Sequence, residues 1–140
     1  MGTYLNPGNS GFVRIISSDY VDKTGLIGLL NRTIDTTKNL TCISRPRRFG
    51  KSYAAQMLCA YYDKTCDSHE MFENFAIAKD STYEKNIGKY DVIYLDMTNL
   101  LGKVKPDDLV KYIELKVASE IEKTYPEVNR EGSFDETLLH

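Results

Sequence analysis

Three consecutive residues, Gly50, Lys51 and Ser52, carry the chemistry that the chain most clearly advertises. They form the close of the pattern GxxxxGK[ST]. In that pattern loop amides and a helix N-terminus hold phosphate groups, the Lys reaches the outer phosphates and the hydroxyl holds Mg²⁺. The opening glycine of the pattern is replaced by Arg45, and Pro46, Arg47, Arg48 and Phe49 fill the loop. Arg45, Arg47, Arg48 and Lys51 together concentrate positive charge, which suits a polyanion such as a triphosphate or a nucleic-acid backbone. The candidate nucleotide contacts are therefore Arg47, Arg48, Phe49, Gly50, Lys51 and Ser52, with Ser52 as the first Mg²⁺ ligand. The second candidate for the metal is an acidic one, Asp96, which closes an apolar run as the Walker B aspartate of phosphate-loop ATPases does. A bare Gly-Lys-Ser is a weak signal, and the same loop also reads as a solvated basic turn before a helix. The flanking elements decide between the two.

Those elements have the right order. Residues 40–44, Leu-Thr-Cys-Ile-Ser, read as a strand, and after the basic loop Ala54, Met57, Leu58 and Tyr61 recur at the spacing of one helix face. Such a helix buries that stripe and presents its N-terminus, with Lys51, at the carboxyl end of the strand. Residues 92–97, Val-Ile-Tyr-Leu-Asp-Met, have the nearly continuous apolar character of a strand buried in a parallel sheet. The expected fold is α/β, a partial phosphate-loop NTPase-like parallel sheet with flanking helices that lacks the later strands.

The residues RPRRFGKS at 45–52, preceded by YVDKTGLI at 20–27 and followed by YDVIYLDMTNL at 90–100, closely resemble the predicted AAA-ATPase-like proteins of bacteria. Longer members of that family commonly carry a nuclease-like domain of the PD-(D/E)XK type downstream. The resemblance runs along most of the chain and corresponds to the family's N-terminal part. It implies that a loop with arginine at position 45 still binds nucleotide, and that residues 20–24 lie beside it; the rival reading of residues 20–24 is a helix cap with a charged face. The family's own Walker B block, a later segment reading roughly LIDEYD, has no match here, and Met97 stands where a glutamate would follow Asp96. The expectation is an ATP- or GTP-binding module that hydrolyses little alone. The alternative is a truncated relative that uses the fold and basic loop to bind a protein or nucleic acid, as an inhibitor carried by phage or a mobile element would.

The rest of the sequence sets bounds. At 140 residues one domain over 1–140 is expected, with residues 1–19 an irregular arm. An apolar fraction of 41% and a charged fraction of 27% are those of a soluble globular protein, and a net charge of −2 confines any nucleic-acid contact to a local patch. No segment has the length of a membrane span or the pattern of a signal peptide, which points to the cytoplasm. Cys42, Cys59 and Cys66 read as reduced thiols. Cys66 and His69 have the spacing of two ligands on a helical turn, but no second pair completes a zinc site. Asp22 or Thr24 caps a first helix through Leu26, Ile27, Leu29 and Leu30, ending near Asn31. Met71, Phe72, Phe75 and Ile77 form a packed cluster, and residues 79–89 read as loop. Pro106, Asp107 and Asp108 open the strongest helix, with Leu109, Ile113, Val117 and Ile121 in one stripe, ended by Tyr125-Pro126. That stripe, the sheet edge and the apolar Leu138-Leu139 end supply surface for a homo-oligomer or protein partner.

Overall fold

The computed structural model describes residues 2–44 and 50–127. The expectations placed on Arg45, Arg47, Arg48 and Phe49, and on the tail with Leu138 and Leu139, lie outside the described residues. Among the described residues the chain is mostly helical and contains no strand, so the expected α/β parallel sheet is corrected to a helical fold. Among the described residues seven α-helices run in order: α1 (Ser10–Ile16), α2 (Gly25–Asn31), α3 (Lys51–Tyr62), α4 (His69–Phe72), α5 (Tyr83–Asn86), α6 (Met97–Leu101) and α7 (Leu109–Thr124). Two 3₁₀ turns, Ala76–Lys79 and Pro106–Asp108, join them.

The two runs expected to be strands fail for a shared reason. A strand exists by pairing, because its N–H and C=O groups need a neighbour. Residues 40–44 are exposed throughout, Leu40 at 95%, and pair with no strand among the described residues. Residues 92–97 do find partners, but only singly. Asn6 donates its N–H to the Val92 carbonyl at 2.7 Å and accepts the Val92 N–H on its side chain at 2.8 Å. Tyr94 donates to the Tyr4 carbonyl at 2.9 Å, and Leu5 and Ile93 form one isolated antiparallel bridge.

The chain divides into two compact units. The first, within residues 6–92, is built around α3. Its buried face, Met57, Ala60 and Tyr61, packs with Phe12 and Ile15 of α1, Ile27 of α2 and Phe72 of α4. Gly11 of α1 lies against the end of the Gln56 side chain of α3. Aromatic rings pack at the centre of this core: Phe12 stacks on Phe72 at 5.3 Å between centroids, and Tyr61 meets Phe72 edge-on at 5.6 Å. The polar ends of the rings are satisfied. Tyr61 donates its hydroxyl to the Tyr83 carbonyl at 2.8 Å and accepts from Asn31 at 3.0 Å, while Tyr62 donates to Asn31 at 2.6 Å. Past the C-terminus of α3 the fully buried Asp63 carboxylate accepts the Gly8 N–H at 2.6 Å and both the N–H and hydroxyl of Thr65.

Two stretches differ from their sequence reading here. Residues 10–16 form α1 where an irregular arm was expected, because Phe12 and Ile15, three apart, share one buried face. Residues 79–89 contain α5, anchored by buried Tyr83, Asn86 and Ile87.

The second unit consists of residues 2–5 with residues 93–127. Val117 and Ile121 of α7 bury against Tyr4, Leu5 and Leu100, with Leu109, Tyr112 and Ile113 partly buried beside them, which is the stripe its sequence spacing predicts. Glu120 of the same helix accepts the N–H groups of Thr3, Tyr4 and Leu5 at 2.9, 2.8 and 2.7 Å. Burial alone would raise its pKa, but these three donors hold the carboxyl below the usual range.

Candidate functional site

Gly50 sets the start of α3. Its φ of 80° and ψ of 22° are left-handed, a conformation that glycine adopts without the strain a Cβ would bring. The Gly50 carbonyl accepts the Ala54 N–H at 2.9 Å, so the helix begins at Lys51. No side chain among the described residues caps this end, and the first-turn amides of an α-helix have no acceptor inside the helix. They carry the partial positive charge of the helix dipole. Lys51 and Ser52 are exposed at this turn.

The segment at residues 20–24 lies beside it, held by a chain of polar contacts. Asp22 accepts the N–H and the hydroxyl of Thr24 at 2.8 and 2.6 Å, and its other oxygen accepts the Ala76 N–H at 2.8 Å. Fully buried Thr24 in turn accepts the Ile77 N–H on its hydroxyl at 3.1 Å. Burial works to raise the Asp22 pKa, yet the donors from Thr24 and Ala76 keep it below the ordinary carboxylate range. Tyr20 fixes the near end. Its ring meets Phe12 and Phe75 edge-on, and its hydroxyl donates to the Met57 sulfur at 3.3 Å and accepts the Lys23 N–H at 3.2 Å. Sequence reading offered Asp22 or Thr24 as a helix cap. Neither makes a side-chain bond to the first turn of α2; together they staple the segment to the Ala76–Lys79 turn.

The segment and the helix start line a half-open cavity of about 700 Å³, within the range of small-molecule sites. Gly50, Lys51 and Ser52 line it together with Tyr20, Val21 and Lys23. The Lys23 ammonium lies 3.2 Å from the point that a Cβ on Gly50 would occupy, so a second cation stands over the N-terminus of α3. Asp19 contributes an acidic group to the lining, and Tyr53 and Met57 contribute apolar surface.

Asp96 belongs to the second unit, where its carboxylate accepts the Asn99 N–H at 3.1 Å and caps α6. That use follows from its position ahead of Met97-Thr98-Asn99, an N-cap spacing legible in the sequence. His69 is held by carboxylates on both ring nitrogens, Asp67 at 2.6 Å and Glu84 at 3.2 Å. The Asp67 hydrogen bond outweighs partial burial and, with Glu84, raises the imidazole pKa. Cys42, Cys59 and Cys66 are free thiols, and burial pushes Cys59 up to about 12. Among the described residues no three His, Cys, Asp or Glu side chains gather as a metal site, and no helix is long and apolar enough to cross a membrane. Sequence reading missed Tyr53 and Met57 as lining residues, since Met57 belongs to the stripe that buries Tyr61 and Tyr53 carries no motif.

Comparison with known proteins adds the family. No curated protein and no solved structure matches the chain. A family model described as predicted AAA-ATPase matches residues 7–140, and with that span covered the chain belongs to this AAA-ATPase-like family.

Proposed function

We propose that the first turn of α3 binds the phosphates of a nucleoside triphosphate, ATP or GTP, together with Mg²⁺. The observation that carries this reading is that one cavity is lined both by Gly50, Lys51 and Ser52 and by Tyr20, Val21 and Lys23, two blocks that are far apart in sequence. Lys51 contacts the outer phosphates, and Lys23 supplies a second ammonium at the same end. Gly50 has no Cβ to come between its backbone and a phosphate oxygen held beside the Lys23 ammonium. Ser52 fits Mg²⁺ as this ion is usually held, by one or two protein oxygens and the phosphates themselves. When bound, the ion neutralises charge on the phosphates; the protein's share is to orient it through the Ser52 hydroxyl. The proposal concerns binding, with no hydrolytic step assigned.

Thermal unfolding with and without millimolar MgATP tests it. At ligand ~100-fold above Kd, stability should rise by about 2.7 kcal/mol. The rise should vanish in Lys51→Ala and shrink in Ser52→Ala or when Mg²⁺ is chelated. A melt that nucleotide leaves unmoved, or moves equally in Lys51→Ala, would overturn the proposal.

A further inference from the structure

Tyr53, Met57 and Tyr61 recur every fourth residue on α3 and so form one stripe along the helix. Its surroundings change abruptly. Tyr61 and Met57 are 0% and 1% exposed within the aromatic core, whereas Tyr53, one turn nearer the N-terminus, is 54% exposed and lines the cavity. Met57 spans the change, being buried in the core and also part of the cavity wall. Opposite in sequence, Val21 lines the same cavity at 72% exposure. The core stripe therefore runs out into open space in which a tyrosine ring and a valine stay wet.

We infer that this apolar part of the cavity takes the base of the bound nucleotide, with Tyr53 as the stacking residue that distinguishes a nucleoside triphosphate from a bare polyphosphate. The inference rests on the phosphate-binding reading of Lys51 and Ser52 and extends it. A heterocyclic base is planar and apolar on its faces and presents π-surface to a tyrosine ring. The Met57 sulfur, already tied to the Tyr20 hydroxyl, adds a polarisable contact at the floor. The 700 Å³ of the cavity accommodates a base as well as phosphates. Because stacking reads a π-face more than its edge, ATP and GTP should bind alike, and purines tighter than pyrimidines.

Calorimetric titration with MgATP and with magnesium tripolyphosphate, on the unaltered chain and on Tyr53→Ala, Tyr53→Leu and Tyr53→Phe, tests it. Tyr53→Ala and Tyr53→Leu should weaken MgATP by roughly fivefold to a hundredfold, the worth of one base stack. Tripolyphosphate affinity should not change in either, which also shows that both variants are folded, and Tyr53→Phe should bind both ligands as the unaltered chain does. If tripolyphosphate binds through Lys51 but MgATP binds no tighter, or if Tyr53→Ala and Tyr53→Leu leave MgATP affinity unchanged or weaken both ligands equally, the stacking role is wrong while the phosphate site stands. Binding of neither ligand would overturn both.

Discussion

The C-terminal half of α3 and its first turn belong to one helix but meet opposite surroundings. From Met57 to Tyr61 the helix is enclosed by aromatic rings, with each buried hydroxyl paired and Asp63 tying its end to Gly8. At Lys51 and Ser52 it is exposed, uncapped by any described side chain, and begins from a left-handed glycine. The buried half is where burial energy accumulates, and it fixes the direction in which the first turn points. That turn contributes little to the fold, so its residue types are open to be set by ligand chemistry. The two halves should therefore respond to substitution in different observables, stability at one end and ligand response at the other.

The largest effect falls on the buried half. Tyr61→Ala removes a fully buried ring and the hydroxyl between Asn31 and Tyr83, and should cost about 3–5 kcal/mol in urea unfolding. Gly50→Ala lies on the boundary: a Cβ in the left-handed conformation should cost about 1–2 kcal/mol, and the added methyl group beside Lys23 should also weaken nucleotide binding. Asp22→Ala should cost about 1 kcal/mol through the lost acceptor for Thr24 and Ala76. It should also change the pH profile. The Asp22 carboxyl is lowered in the folded chain, so its stabilisation is complete above the ordinary value of 3.8 and is lost as pH falls through the lower folded value. Unfolding midpoints of the unaltered chain and of Asp22→Ala should therefore converge below pH 3.8. Lys51→Ala should have the smallest effect on stability, within about 0.5 kcal/mol. A loss in Lys51→Ala comparable to that of Tyr61→Ala would break the comparison, since the first turn would then be part of the packing.

How much of this was legible in sequence follows from how local each signal is. The helices α3 and α7 could be read because their stripes repeat within one element, and Val117 and Ile121 are buried as their spacing predicts. The apolar runs at 40–44 and 92–97 are too short to carry a period, and their state depends on neighbours the sequence does not show. Asn6 and Tyr4, which pair with Val92 and Tyr94, lie almost ninety residues away. In the candidate site, Gly50, Lys51 and Ser52 stood out through a motif, and residues 20–24 only through resemblance. The staple from Asp22 and Thr24 to Ala76 and Ile77 joins residues more than fifty apart, which spacing arguments do not reach. Tyr53 was hidden for another reason: it carries no motif and lies outside the stripe of Ala54, Met57, Leu58 and Tyr61, and only the geometry shows it exposed at the cavity.

Amide chemical-shift mapping during a MgATP titration tests the central claim most directly, because it reads where the ligand sits. The largest perturbations should cluster at Tyr20, Val21, Lys23 and residues 50–54, which share the cavity, and should be absent from Lys51→Ala at the same nucleotide concentration. Perturbations confined to other parts of the chain, or the same pattern in Lys51→Ala, would contradict a phosphate site at the start of α3.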